Sequence, residues 1–258
     1  MASEPFLAVD HIAKHFGGVK AVKDVTFTVQ RGEILGLIGP NGAGKTTTFN
    51  LISGLLPLTS GEVRLEGRRI SGARPDRIAA LGVARTFQGT RIFPALTVRE
   101  NLETALLARA PVGFWADWFG LPAARAVHAE ISGDVAAVLD FIGLSAQMER
   151  IAGDMPYAHQ SLLGMGLALA LKPRLLLLDE PFAGMNPNET AGASAVVRRI
   201  RDSGVTVLFV EHDMAAVMGI CDRIVVVDQG SKIAEGTPAE IAANPRVIEA
   251  YLGSDEDA

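Results

Sequence analysis

Gly39-Pro40-Asn41-Gly42-Ala43-Gly44-Lys45-Thr46-Thr47 is the stretch whose reading decides the fold. It fits G-x-x-x-x-G-K-[ST], the loop that cradles phosphates. The apolar run Ile34-Leu35-Gly36-Leu37-Ile38 leads into it and reads as a buried strand, while residues 45–56 follow with helical spacing. Strand, loop and helix are the context the motif needs. Gly39, Gly42 and Gly44 let the backbone approach phosphate oxygens in dihedrals other residues avoid. Successive N–H groups then point inward at the start of a helix, where the dipole favours anions. Lys45 adds a point charge for the β- and γ-phosphates, and the Thr46 hydroxyl is a ligand for Mg²⁺. The stretch implies a nucleotide site.

Composition narrows the class. The chain has 258 residues, of which 48% are hydrophobic, enough for a sizeable core in one α/β domain with insertions. Lys+Arg 24 against Asp+Glu 29 gives a net charge of −5, and with no basic stripe this argues against a nucleic-acid partner. Cys221, the one cysteine, stands among apolar neighbours and reads as a small buried residue. The start, MASEPFLAVD, lacks the features of a secretory signal. The longest apolar run, Ser161 to Leu171, is too short to span a bilayer, so the expected place is the cytosol or a membrane surface reached through a partner.

Residues 6–10 and 25–29 read as strands, with Phe16-Gly17-Gly18 in a turn between them. Phe16 has two readings of equal standing, a ring stacked on a base such as adenine or a hairpin core aromatic. Further strands are expected at 62–65, 83–87, 175–178, 205–210 and 223–228. Helices are expected at 78–81, 97–108, 123–143, 160–171, 187–202, 214–220, 238–243 and 245–252. Thr97 and Glu100 have the spacing of a capping box. Gly164 and Gly166 inside a helix point to close helix packing. Residues 91–159 carry no strand signal and read as a helical insertion into a core formed by 1–90 and 160–258. Strands alternating with helices imply an α/β fold with a mainly parallel sheet wound on both faces, plus an antiparallel β part near the N-terminus.

In such a sheet, site residues lie at the carboxyl ends of strands. Gly39, Gln88, Asp179, Glu180 and His212 all fall there in this reading. Asp179 is expected in the Mg²⁺ shell opposite Thr46, with Gln88 as a further residue able to reach the metal or a water. Glu180 is placed to orient or deprotonate the attacking water. His212 is placed to hydrogen-bond a γ-phosphate.

Taken together, residues 39–46, Gln88, Leu175-Leu176-Leu177-Leu178-Asp179-Glu180-Pro181 and His212 resemble the ATP-binding cassette (ABC) transporter ATPases over essentially the whole chain. Within that family HFGGVKAV (15–22), ARTFQGTRIFPALTVRENL (84–102), FAGMNPNET (182–190), VEHDM (210–214) and VIEAYLG (247–253) are most similar to the branched-chain amino acid importer group. The resemblance implies a P-loop NTPase core and a helical subdomain. It also implies ATP and Mg²⁺, Phe16 against adenine, Gln88 as the Q-loop residue and His212 as the switch histidine. The partners it implies are a second ATPase subunit, two membrane permeases and a periplasmic binding protein, with the chain peripheral at the cytoplasmic face of the plasma membrane. Residues 86–119, with Phe87, Phe93 and the cluster Phe114-Trp115-Trp118-Phe119, are the expected permease contact; the cluster by itself also reads as a hydrophobic cover folded back on its own domain.

Two departures from the family pattern stand out. The signature, usually LSGGQ and often LSYGQ or LPYGHQ in this group, reads Met155-Pro156-Tyr157-Ala158-His159-Gln160, so Pro156 replaces the serine hydroxyl and Ala158 the second glycine. The N–H groups of Tyr157, Ala158 and His159 are expected to remain available to the partner's ATP, with the His159 imidazole as a substitute donor and Gln160 beside them. The other departure is Asn186, where most cassettes have Asp and this group commonly has Asn. The weakened signature favours a heterodimer over a homodimer. The rival readings are an ATP-binding regulatory subunit with little turnover and the ATPase of a lipid or lipopolysaccharide exporter.

Overall fold

β3 (Ile34–Ile38), β7 (Leu175–Asp179) and β8 (Thr206–Val210) are buried at every position, which is why they read as unbroken apolar runs rather than alternating ones. They occur in a computed structural model that describes residues 4–86, 91–107, 118 and 122–252. The ten-stranded sheet has the order β5-β4-β1-β2-β10-β9-β3-β8-β7-β6. Strands β9 (Arg223–Asp228), β3, β8, β7 and β6 (Val83–Arg85) pair in parallel. On the other side β1 (Leu7–Phe16), β2 (Val19–Val29), β4 (Ser60–Leu65) and β5 (Arg68–Arg69) pair antiparallel. β10 (Ser231–Gly236) joins the two parts, antiparallel to β9 and parallel to β2 at Ser231 and Asp24.

The helices are α1 (Lys45–Ile52), α2 (Pro75–Ala80), α3 (Val98–Leu107), α4 (Pro122–Ile142), α5 (Tyr157–Ala170), α6 (Pro187–Asp202), α7 (Met214–Ile220), α8 (Pro238–Ala242) and α9 (Pro245–Leu252). The expected α/β class with a parallel sheet and an antiparallel N-terminal part is what the chain forms. Some details differ from expectation. β1 and β2 run several residues further than the apolar alternation suggested, because they form one long hairpin whose register shifts tolerate the polar residues near Lys14. β10 was not anticipated. Its residues are only half buried, so it has no apolar run to announce it. Phe87, Gln88 and Thr90 lie outside the described residues, as do Phe114, Trp115 and Phe119, while Trp118 is exposed.

The chain divides into two units. One holds the sheet and consists of residues up to 85, 174–183 and those from 197 onward; the other takes 86–173 and 184–196. The expected insertion, 91–159, falls in the second unit, which also takes in α5 because α5 packs on α3 and α4. The apolar stripe of α4 at Ile131, Val135, Leu139 and Ile142 is buried there with Leu102, Leu106 and Leu163. Gly166 is required by that packing: a Cβ on it would lie 2.7 Å from Ile142 Cδ1 and 3.3 Å from Val138 Cγ1. Gly164 is not, since a Cβ there meets nothing within 4 Å among the described residues. The capping box forms, with the Thr97 N–H donating to Glu100 Oε2 at 2.8 Å and the Glu100 N–H to Thr97 Oγ1 at 3.1 Å. Asn101, fully buried, ties down the segment before α3. Its Oδ1 accepts the Phe93 N–H at 2.8 Å and its Nδ2 donates to the carbonyls of Phe93 and Thr97 at 3.0 and 2.9 Å.

In the sheet unit a buried ion pair joins neighbouring strands. Arg85 Nη2 on β6 lies 2.7 Å from Asp179 Oδ2 on β7, and Arg85 Nη1 donates to Asn50 Oδ1 and Ser53 Oγ near the end of α1, at 2.6 and 3.1 Å. Both side chains are almost wholly excluded from solvent. Burial pushes the Asp179 carboxyl above the usual carboxylate range, and the Arg85 guanidinium opposes that shift. Removing one partner of such a pair costs far more than the pair itself contributes. Arg85→Met should therefore destabilise the protein by about 3 kcal/mol, read from the urea midpoint. A loss below about 1 kcal/mol would show that the pair does not hold β6, β7 and α1 together.

Candidate functional site

The backbone around the phosphate loop is possible only because three of its residues lack a Cβ. Gly39, Gly42 and Gly44 have φ of 155°, 79° and 98°. A Cβ on Gly39 would lie 1.9 Å from the carbonyl oxygen of Val227 on β9, and one on Gly44 2.5 Å from that of Ala21 on β2. Gly44 caps α1 with no side-chain hydrogen bond, and the first turn of α1 carries no acidic residue. The leading N–H groups of the helix are thus left for a ligand, at the end where the dipole favours negative charge. Lys45 is buried and its ammonium donates to the carbonyls of Gly39 and Pro40 at 2.6 and 2.9 Å. Desolvation lowers its pKa, offset in part by the charges of Glu180 and Asp179.

An open cleft of about 210 Å³ lies over this loop, lined by residues 41–47 with Ala21, Glu180 and His212. Glu180 follows β7 and His212 follows β8, and their side chains meet: His212 Nε2 is 2.8 Å from Glu180 Oε1. Glu180 has φ 49°, a left-handed conformation uncommon for a residue with a side chain and found preferentially at functional sites. The sheet thus gathers a phosphate cradle, a cation, a carboxylate and an imidazole in one cleft. Such a set can bind a polyphosphate and activate a water beside it.

The remaining expected residues are distributed differently. Asp179 is buried behind the cleft against Arg85 and does not line it. Phe16 is 47% exposed at the tip of the β1–β2 hairpin, with Lys14 Nζ 5.1 Å from its ring centroid. The hairpin-core reading of Phe16 is therefore excluded, and the ring stands outside the cleft lining. Gln88 lies outside the described residues.

At the start of α5, Pro156 takes the N-cap position with φ −53° and ψ 147°, and the helix begins at Tyr157 without a side-chain cap. The His159 N–H is already used, donating to the Pro156 carbonyl at 3.0 Å, which leaves the N–H groups of Tyr157 and Ala158 for an external anion. His159 Nδ1 is buried with no hydrogen-bond partner among the described residues, which leaves the substitute-donor role to Nε2. Gln160 Nε2 is turned back onto the Met155 carbonyl at 2.8 Å. Asn186 has a structural reason to be where it is. Its Oδ1 accepts the N–H groups of Asn188 and Glu189 at 3.0 and 3.1 Å, capping α6.

Sequence reasoning missed Arg85 and Glu211. Glu211 is 3% exposed and accepts hydrogen bonds from the N–H of Phe182 at 2.8 Å and of His212 at 2.7 Å. Burial raises its pKa, and those backbone N–H groups oppose the rise. Nothing in Val210-Glu211-His212 marks the carboxylate as buried, since an acidic residue next to a site histidine reads as a solvated turn.

The ABC transporter family profile matches residues 22–183, and that of the branched-chain amino acid ATP-binding cassette transporter matches residues 231–257. The chain is 42% identical over 252 residues to the high-affinity branched-chain amino acid transport ATP-binding protein BraF of Pseudomonas aeruginosa, covering 97% of this chain and 99% of the relative. It is 41% identical over the same length to the corresponding protein LivG of Escherichia coli K12, with the same coverage. Its fold is similar to that of an ATP-binding cassette of an ABC transporter solved in its ADP conformation, with TM-score 0.83 and 30% identity over 97% of this chain and 100% of that one. Because the likeness extends along nearly the whole chain in both sequence and fold, this protein belongs to the ABC transporter family, as one of its ATP-binding subunits.

Proposed function

We propose that this chain hydrolyses ATP to drive an importer of branched-chain or related amino acids. The observation that carries the chemistry is the Glu180–His212 pair standing over the phosphate loop in one cleft. The substrate class rests on the names of the relatives, BraF and LivG. The exporter and low-turnover readings lose ground to both. In this proposal residues 39–47 bind the triphosphate, Lys45 neutralises the β- and γ-phosphates, and Phe16 stacks on adenine. Glu180 takes the proton from the attacking water. His212 orients that carboxylate and hydrogen-bonds the γ-phosphate.

The Thr46 hydroxyl lines the cleft beside the Glu180 carboxylate, and oxygen donors of this kind suit a hard cation that completes its shell with phosphates and water. Thr46, Asp179 and Gln88 would hold Mg²⁺ there, directly or through water, where it would neutralise developing negative charge on the phosphates.

Among the described residues no helix is long and apolar enough to cross a membrane. In this reading the chain is peripheral on the cytoplasmic face, against two permeases served by a periplasmic binding protein, as its resemblance to the ATP-binding proteins of branched-chain amino acid transport implies. Phe93, 52% exposed, Ala95 and Trp118, both exposed, are among the described members of the proposed permease contact. Each ATP would lie between one subunit's phosphate loop and the other's signature, here Tyr157, Ala158, His159 and Gln160.

Three measurements test this. Lys45→Ala should weaken Mg-ATP binding by roughly 10- to 100-fold in calorimetry, the loss expected for a hydrogen-bonded charge facing a polyanion; undiminished affinity sinks the assignment. Glu180→Gln should keep ATP binding and lower turnover by about 10²- to 10⁴-fold, because the amide cannot accept the proton. Nucleotide-trapped dimers should then accumulate on gel filtration. Wild-type turnover in that variant, paired with its partners, removes Glu180 from the role of base.

The third measurement concerns asymmetry. Pro156 has no hydroxyl and Ala158 adds a methyl group, so the signature of this chain should stabilise a γ-phosphate poorly. A heterodimer with a sound partner signature would keep one strong site, made with this chain's own Glu180 and His212. Glu180→Gln here should then cost more than about tenfold more turnover than the matching change in the partner subunit. Equal losses, or brisk ATPase activity from this chain alone, would make the signature changes harmless.

A further inference from the structure

Glu211 is a buried carboxylate that the site chemistry described above does not use. Its Oε1 accepts the Phe182 N–H at 2.8 Å, and its Oε2 accepts the His212 N–H at 2.7 Å and, more weakly, the Asp213 N–H at 3.4 Å. Phe182 follows Glu180 by two residues on the loop after β7, whereas His212 and Asp213 open the loop after β8. The same two loops are joined at their far side by the His212 Nε2–Glu180 Oε1 contact, 2.8 Å, and at their base by the Glu180 N–H donating to the Val210 carbonyl, 2.8 Å. Glu180 sits in a left-handed conformation that only a well-determined surrounding can maintain. Phe182 is further fixed by its ring against Phe209 of β8, with centroids 5.4 Å apart. A buried carboxylate costs free energy unless its oxygens are satisfied, and here the satisfying groups are backbone N–H groups of the two loops that carry the reacting side chains.

We propose that Glu211 is a positioning residue for ATP hydrolysis, a carboxylate clamp that holds the Glu180 loop and the His212 loop at one spacing so that the two side chains stay in contact over the phosphate loop. It rests on the ATPase reading above. Glu211 touches neither nucleotide nor water in this role and acts through Glu180 and His212.

Glu211→Gln preserves shape but turns an NH₂ toward one of the backbone donors, so one arm of the clamp opens. Glu211→Asp keeps both acceptor oxygens on a shorter arm. With the chain assembled in its transporter, Glu211→Gln should lower kcat roughly 10- to 100-fold, as misplacement by about 1 Å does. The ATP dissociation constant, set by the phosphate loop, should stay within about twofold of wild type. Glu211→Asp should fall between the two. In the isolated chain labelled with ¹⁵N-histidine, the His212 ring signal of Glu211→Gln should move towards where Glu180→Ala puts it, because both changes break the same contact. A kcat within about twofold of wild type, or an unmoved His212 signal, overturns the clamp. If the Gln variant does not fold, the Asp variant is read by the same criteria; failure of both to fold makes Glu211 a plain structural residue and also overturns it. The NMR arm needs no turnover. A wild-type transporter that hydrolyses no ATP, with the His212 signal still following Glu211, removes the ATPase reading and leaves the clamp.

Discussion

The site depends on how closely two pieces of main chain approach each other. The carbonyl of Val227 occupies the space a Cβ of Gly39 would need, and the carbonyl of Ala21 does the same for Gly44. β9 and β3 are parallel neighbours, so the end of β9 reaches the loop as β3 gives way to it. Ala21 comes from β2, in the antiparallel part of the sheet. The phosphate loop is therefore gripped from both parts of the sheet. This grip fixes where α1 begins, and hence where its leading N–H groups point. Larger residues at these two glycines would push the loop off the sheet before any nucleotide was involved.

Buried charge is the second organising constraint. Arg85 and Asp179 close one side of the site, and Glu211 braces the two loops that open onto it. In both cases the carboxylate is drawn into the protein against the cost of desolvation and is held by donors of fixed geometry, a guanidinium in one case and backbone N–H groups in the other. Glu211 thereby supports the main chain of a half-exposed His212. Rigid support beneath a reactive side chain favours turnover, because a catalytic group must be held within a fraction of an ångström of its working position.

Much of this could be read before the structure. The phosphate loop is legible because its residue types, spacing and flanking strand and helix all follow from one physical requirement. β3, β7 and β8 are legible because burial on both faces leaves an unbroken apolar run. The strand-end rule then places Glu180, the residue after β7, and His212, two residues after the end of β8. Other features depend on long-range pairing that no local pattern carries. β10 is half exposed and joins β9 to β2 through contacts distant in sequence. The burial of Glu211 depends on Phe182, a residue 29 positions away. Phe16 could be assigned to a core or a surface only once the hairpin's length was known. Gly164 and Gly166 look alike in sequence, and only the packing of α4 against α5 separates them.

Cys221, the chain's one cysteine, lies just after α7, 7% exposed, and burial pushes its thiol up to about 12. Its Sγ is 2.9 Å from where a Cβ on Gly36 would stand, so the sulfur fills the gap that glycine leaves in β3. A thiol at such a pKa is almost entirely protonated at neutral pH, and the thiolate is the reactive form. The folded chain is thereby silent to alkylating dyes. A fluorophore or spin label attached to a cysteine introduced on the surface, for instance at exposed Tyr157 at the start of α5, would report from that one place with Cys221 left in the chain. Opening of the sheet would announce itself as the late appearance of a second reactive thiol.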